Sequence, residues 1–151
     1  MDLFRPRQLS DRLTRIQAIP LFSTLDARGL RLVDSVLHER EYAEGEVIFD
    51  QGEEGQAIYL VFEGSVLIRR DGTTVAQVGA GGFLGELALL EGTPRSAQAL
   101  AATDCKLGVL FRSDFDTLLE TNARIASRIS LQLARYLGGL IVKARTSEHT
   151  L

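Results

Sequence analysis

The sequence predicts an α+β fold: an antiparallel β-roll of jelly-roll type, preceded by short helices and followed by a long one. Three observations predict it. From Glu39 to Leu110, short apolar-alternating runs are punctuated by Gly45, Gly52, Gly55, Gly64 and Gly72, the texture of short strands with tight corners. On both flanks of that stretch the apolar residues recur at helical spacing instead. Asp71-Gly72 lies between two apolar runs and supplies the positive φ angles that a two-residue hairpin turn requires.

Taken in order, Ser10-Asp11 can cap a first helix that carries Leu13 and Ile16 on one face and stops before Pro20. The segment Ile19-Pro20-Leu21-Phe22-Ser23 leads into a second helix through Leu30, Leu32, Val33, Val36 and Leu37. Strands are expected at Val47-Phe49, Ala57-Phe62, Val66-Ile68 and Thr74-Val78, with two more around Ser96–Ala101 and Cys105–Phe111. Ser113-Asp114-Phe115 then reads as a helix start, and Asn122 as the cap of a longer helix to about Ala144. Ile125, Ile129, Leu133, Leu137, Leu140 and Ile141 form its apolar stripe. Gly138-Gly139 weakens its last turns by about 1 kcal/mol per glycine relative to alanine. A chain of 151 residues, 45% hydrophobic and 25% charged, fits one domain over 1–151. Its parts are N-terminal helices over 10–37, the β-roll over 38–111 and C-terminal helices over 112–145.

The most informative stretch is G-A-G-G-F-L-G-E-L-A-L-L-E-G-T-P-R-S-A, from Gly79 to Ala97. Gly79, Gly81 and Gly82 lead into Phe83-Leu84-Gly85-Glu86-Leu87-Ala88-Leu89, read as a short helical turn. Arg95 follows, set by Pro94 and trailed by the small residues Ser96 and Ala97. Glycine lets backbone approach a ligand, a helix start offers free N–H groups to an anion, and an arginine clamps a phosphate with paired donors. A glycine pair before a helix is, alone, an ordinary turn; the ordered combination is the signal.

That combination resembles the phosphate-binding cassette of cyclic nucleotide-binding domains, the family of the catabolite activator protein, the protein kinase A regulatory subunit and bacterial cyclic-nucleotide-gated channels. Glu44-Gly45-Glu46-Val47-Ile48-Phe49 with Gly52-Glu53, and Ile58-Tyr59-Leu60-Val61 with Glu63-Gly64-Ser65-Val66, are similar to the same family's strand-turn patterns. The resemblance covers about residues 19 to 140. It implies a ligand, cAMP or cGMP, held by Phe83, Leu84, Gly85, Glu86, Leu87, Ala88, Arg95, Ser96 and Ala97. In that reading N–H groups around Gly85–Leu87 and the helix dipole face the phosphate, and Glu86 accepts from the ribose 2′-hydroxyl. Arg95 takes a phosphate oxygen, with Ser96 and the Ala97 N–H beside it. Val66, Ile68 and Val78 are candidates for an apolar wall at the base and equally for plain barrel core. Gln98 stands where the family often has threonine and is expected to face away from the pocket. Arg135 or Tyr136 would reach the base from the C-terminal helix, the segment expected to order when ligand binds.

Other classes find little support. A net charge of −3 argues against a nucleic-acid-coating surface, and the arginines near the N-terminus (Arg5, Arg7, Arg12, Arg15) read as a solvated helix face. No apolar run approaches membrane-span length, no signal peptide is visible, and the lone Cys105 fits a reducing compartment, so a cytoplasmic location is expected. His38 and His149 are isolated and no metal-ligand spacing occurs, so neither enzyme activity, nor a metal, nor a cofactor is expected. With no helix-turn-helix pattern in the sequence, a transcription factor of the catabolite-activator type is not expected unless the chain is a fragment. The expected function is a ligand sensor acting on an unidentified protein partner, without nucleic-acid binding or membrane insertion, with a homodimer through the C-terminal helix as a further expectation. A regulatory fragment of a larger channel, transcription factor or enzyme, and a ligand-blind scaffold, stand as alternatives.

Overall fold

The computed structural model describes residues 9–149, with side chains to 146; Arg5, Arg7 and the His149 side chain lie outside the described residues. Helix α1 (Asp11–Gln17) opens on Ser10, whose hydroxyl accepts from the Leu13 N–H, and buries Leu13 and Ile16. A 3-10 turn (Pro20–Phe22) leads to α2 (Ala27–Val36), capped by the Asp26 carboxylate on the Gly29 N–H. Eight strands follow: β1 (His38–Tyr42), β2 (Val47–Phe49), β3 (Ala57–Glu63), β4 (Ser65–Arg70), β5 (Thr73–Gly79), β6 (Phe83–Leu84), β7 (Gln98–Ala101) and β8 (Cys105–Phe111). Helices α3 (Arg112–Thr121) and α4 (Ala123–His149) complete the chain.

The strands form two antiparallel four-stranded sheets, ordered β1-β8-β3-β6 and β2-β7-β4-β5. Their inner faces meet in one core built from Phe49, Ala57, Tyr59, Val61, Val66, Leu107 and Val109. A second core lies outside the first sheet, where Ile58, Leu60 and Phe62 of β3 pack against Leu21, Phe22, Leu30, Phe115, Ile129 and Leu133 of the helices. Strand β3 is therefore buried on both faces, which explains its unbroken apolar run. Fully burying each of these large side chains stabilises by about 1.5–3 kcal/mol. Asp71 and Gly72 both have positive φ, as the expected hairpin turn demands.

Several expectations need correction. Strand β1 went unnoticed because His38-Glu39-Arg40-Glu41-Tyr42 carries no apolar alternation; it is an exposed edge strand fixed by pairing with β8. Helix α3 begins at Arg112 without a side-chain cap, and Ser113 sits inside it, its carbonyl accepting from the Thr117 hydroxyl. The Asn122 side chain does not cap α4: its amide donates to the Thr121 hydroxyl, and it is the backbone carbonyl of Asn122 that accepts the Ile125 and Ala126 N–H groups. Helix α4 runs past Ala144 to His149. Its apolar stripe divides in two. Ile129 and Leu133 are buried in the helical core, whereas Leu140 and Ile141 are exposed and nothing lies within 4 Å of where side chains at Gly138 and Gly139 would project.

Candidate functional site

Between β5 and β7 the chain lays β6 beside β3 and then forms a short helical turn. The glycines shape its entry: Gly81, at φ +87°, donates to the Val61 carbonyl, and the Val61 N–H donates back to Gly82. Phe83 and Leu84 are then a two-residue strand beside Tyr59 and Leu60, not the beginning of a helix. The helical turn is later and shorter than expected, a single 3-10 turn at Glu86–Leu89. The Ala88 N–H closes it on the Gly85 carbonyl, which leaves the N–H groups of Glu86 and Leu87 without a turn ahead to bond. Four residues sum to almost no macrodipole, so the expected dipole contribution falls away, and local N–H groups and side chains must supply any attraction for an anion.

Gly85 turns the chain at φ +76°, and a Cβ there would collide with Arg95 Nη1. The arginine is pinned from both sides. Its N–H donates to the Glu53 carbonyl at 2.6 Å, and its own carbonyl accepts from Gly52 at 2.8 Å, tying it to the β2–β3 loop. The guanidinium donates to the carbonyls of Ala57 (2.7 Å) and Gly85 (3.4 Å). It lies 4.2 Å from the centroid of the Phe49 ring, a cation–π geometry. Burial lowers its pKa, with Tyr59, Glu53 and Glu86 opposing the shift; an arginine remains cationic nonetheless. A charge held this way, half shielded from water and with donors to spare, is prepared for an anion.

Together these residues line a cavity of about 280 Å³, near the lower end of roughly 300–1,000 Å³ typical of small-molecule sites. Its walls are Phe83, Leu84, Gly85, Glu86, Leu87 and Ala88 on one side and Arg95, Ser96 and Ala97 on the other, with Ile68, Val78 and Phe49 as the apolar surface. All nine expected cassette residues thus meet at one place. Val66 does not: it is wholly buried in the inter-sheet core, between Val78 on β5 and Ala101 on β7. Phe49 and Thr93 were missed. In the sequence Phe49 carries only a strand signal, and its role beneath Arg95 depends on a pairing between distant parts of the chain.

Tyr136 and Arg135 separate. The Tyr136 ring stands edge-on to Phe83, centroids 4.8 Å apart, which brings α4 to the cavity rim. Burial, then the nearby Glu86 carboxylate, raises the Tyr136 pKa, so Glu86 lies within electrostatic reach of both Tyr136 and Arg95. The Tyr136 and Arg135 side chains are both exposed and neither lines the cavity itself; Arg135 also lacks the contact with Phe83 that Tyr136 makes. Gln98 points away and donates to the Asp50 carboxylate at 2.7 Å. Arg112, the first residue of α3, donates to the carbonyls of Gly55 (3.1 Å) and Ala88 (3.4 Å) and so ties the C-terminal helices to the underside of the turn. Among the described residues no group of three His, Cys, Asp or Glu side chains is placed to hold a metal ion, and no helix is long and apolar enough to cross a membrane.

The family model for the cyclic nucleotide-binding domain matches residues 39–122. The cyclic AMP receptor protein of Thermus thermophilus is 38% identical over 123 residues, which cover 78% of this chain and 57% of that protein. A cyclic nucleotide-gated potassium channel of Rhizobium etli is 36% identical over 82% of this chain and 35% of its own length. The chain therefore spans less than two thirds of either relative. The crystal structure of the N-terminal domain of a transcriptional regulator from Streptomyces coelicolor superposes with a TM-score of 0.76 at 29% identity, covering 91% of this chain and 95% of that one.

Proposed function

The chain belongs to the cyclic nucleotide-binding domain family, and from that membership we propose that it is a sensor binding one 3′,5′-cyclic purine nucleotide, cAMP or cGMP, in the cavity beside Arg95. The observation that carries this reading is the convergence of the half-buried Arg95 guanidinium, the unbonded N–H groups of Glu86 and Leu87, and an apolar wall of Ile68 and Val78 on one cavity. Anionic phosphate and flat apolar base are the two ends of such a nucleotide. Arg95 turns one or both terminal nitrogens from the carbonyls it now bonds to a phosphate oxygen, and Ser96 and Ala97 lie beside that oxygen. Glu86 accepts the ribose 2′-hydroxyl. The base lies along Ile68, Val78 and Phe83, within reach of Tyr136. The name of the Thermus thermophilus relative makes cAMP the first ligand to test.

Occupancy is relayed through α4. A ligand shifts a conformational equilibrium only by binding its two states unequally, and the Phe83–Tyr136 contact is where α4 would sense the base. Beyond it the exposed Leu140, Ile141 and Val142 offer an apolar face to a protein partner or to a second copy of the chain. The module is regulatory and performs no catalysis of its own.

Calorimetric titration with cAMP, cGMP and linear 5′-AMP tests the reading. We expect one site per chain for a cyclic nucleotide, weaker binding of the linear monophosphate, and a stability gain of about 2.7 kcal/mol at one hundred times Kd. No heat and no thermal stabilisation with millimolar cAMP or cGMP would defeat it.

A further inference from the structure

A cleft of about 230 Å³ opens between the start of α2 and the α3–α4 junction. Arg28, Arg124 and Arg128 line it together with Asn122, Asp26, Leu25 and Ile125. Within the described residues none of these three guanidiniums makes an ion pair or hydrogen bond, whereas Arg12 pairs with Asp34 and Glu39, and Arg15 with Glu63. The one carboxylate in the cleft is engaged elsewhere, since Asp26 accepts the Gly29 N–H at 2.9 Å. That bond holds the Asp26 carboxyl below the usual carboxylate range, and Arg128, Arg124 and Arg28 lower it further, so all three cations lie within electrostatic reach of a single acid. Arg124 and Arg128 are one helical turn apart, a like-charge spacing that destabilises an isolated helix. The cluster therefore carries about two uncompensated positive charges on a chain whose net charge is −3.

We propose that this cleft docks an acidic segment of a partner protein, its carboxylates pairing with Arg28, Arg124 and Arg128 while a flanking apolar side chain packs on Leu25 and Ile125. Charge complementarity gives the sign of the occupant, and the planar guanidinium fork suits carboxylates. The apolar floor and the Asp26 charge favour a peptide that spreads its acids among aliphatic residues over a compact, multiply charged phosphate. A nucleic-acid strand needs a broad basic stripe, and the pairing of Arg12 and Arg15 with acids removes one on this flank.

The test uses the full chain, without nucleotide, and a labelled peptide alternating Asp or Glu with Leu. Backbone amide shifts should concentrate at Arg28, Asn122, Arg124 and Arg128. Binding should weaken steeply from about 0.01 M to about 1 M salt, which shortens the screening length from roughly 30 to 3 Å. Arg28→Gln/Arg124→Gln/Arg128→Gln should lower affinity about ten-fold, the sum of three modest surface pairs, and the triple lysine variant should keep part of it. Thermal melts check that the variants fold; Arg124→Gln alone, at an exposed position, serves if the triple variant does not. Absence of binding at millimolar peptide, or affinity unchanged by the glutamine substitutions, overturns the proposal. So does a stronger response of the same amides to pyrophosphate or to anionic lipid vesicles than to the peptide.

Discussion

Replacing Arg95 by alanine should damage both the site and the fold, and the structure lets the two effects be separated. In the free protein the guanidinium satisfies the Ala57 carbonyl at 2.7 Å and covers the Phe49 ring at 4.2 Å. Losing the first leaves a part-buried acceptor unpaired, about 1–3 kcal/mol, and losing the second removes about 0.5–2 kcal/mol. The variant should therefore be less stable by roughly 2–4 kcal/mol, which in a chain of this size lowers Tm by roughly 5 to 15 °C. It should remain folded, since domains have about 5–15 kcal/mol in hand. For binding, two charge-assisted bonds to a phosphate contribute about 1.5–3 kcal/mol each. The phosphate must first displace the carbonyls, so only the difference counts. A net loss of roughly 2–4 kcal/mol, or about 30- to 1,000-fold in Kd, follows. Arg95→Lys should recover part of the binding but not the ring stack or the second bond. Differential scanning fluorimetry and calorimetry on the same samples read the two effects. Unchanged affinity in a folded Arg95→Ala protein would place the phosphate elsewhere, and an unchanged Tm would show that the carbonyl bonds and the stack contribute little.

Gly85→Ala should cost more binding than its size suggests: the residue sits at φ +76° and the new Cβ meets Arg95 Nη1, so about 1–2 kcal/mol of backbone strain adds to a displaced clamp. A melt and a titration check it, and wild-type affinity would mean Arg95 swings clear at no cost. Glu86→Gln should weaken binding less than Arg95→Ala, and its penalty should shrink for a 2′-deoxy nucleotide; an equal penalty with either ligand would move Glu86 off the ribose. Ligand-dependent hydrogen exchange should slow in Gly82–Ala97 and in the turns of α4 beyond Tyr136. Ile129 and Leu133, already buried, should change little. Protection confined to the cassette would make α4 a fixed cover.

The helices and inner strands were legible because their signals are local. Ser10 caps α1 through its own hydroxyl, Asp71-Gly72 turns through its own φ angles, and β3 announces itself by a run of large apolar residues. What escaped depends on partners distant in sequence. Strand β1 has no apolar face to advertise, and only the ladder with β8, pairing His38 with Val109 through to Tyr42 with Cys105, makes it a strand. The start of α3 was misplaced for a related reason: Arg112 opens the helix because its N–H is held by the Gln56 carbonyl and its side chain by Gly55 and Ala88, so tertiary bonds stand where a capping Ser or Asp was expected.

The site shows the same division at finer grain. Residue type and order picked out Phe83 to Ala88 and Arg95 to Ala97, although the bonds that bring them to one cavity, Phe83-Leu84 to β3 and Arg95 to the β2–β3 loop, join distant parts of the chain. The apolar wall was harder, because alternation tells which side of a sheet a residue faces and not how deep it lies. Val66, Ile68 and Val78 all point between the sheets as their spacing requires. Val66, flanked by Val78 on one side and Ala101 on the other, is sealed, while Val78 on the edge strand β5 and Ile68 further along β4 reach the cavity. On α4 the angular position about the helix decides. Tyr136 meets Phe83 whereas its neighbour Arg135, about 100° around the helix, stays in solvent. Of the two side chains, Tyr136 is the one whose removal should loosen the tie between cavity and helix: Tyr136→Ala should lower affinity and abolish the added protection in α4, and Arg135→Ala should leave both near wild type. The reverse pattern would require α4 to rotate by about that angle when ligand binds.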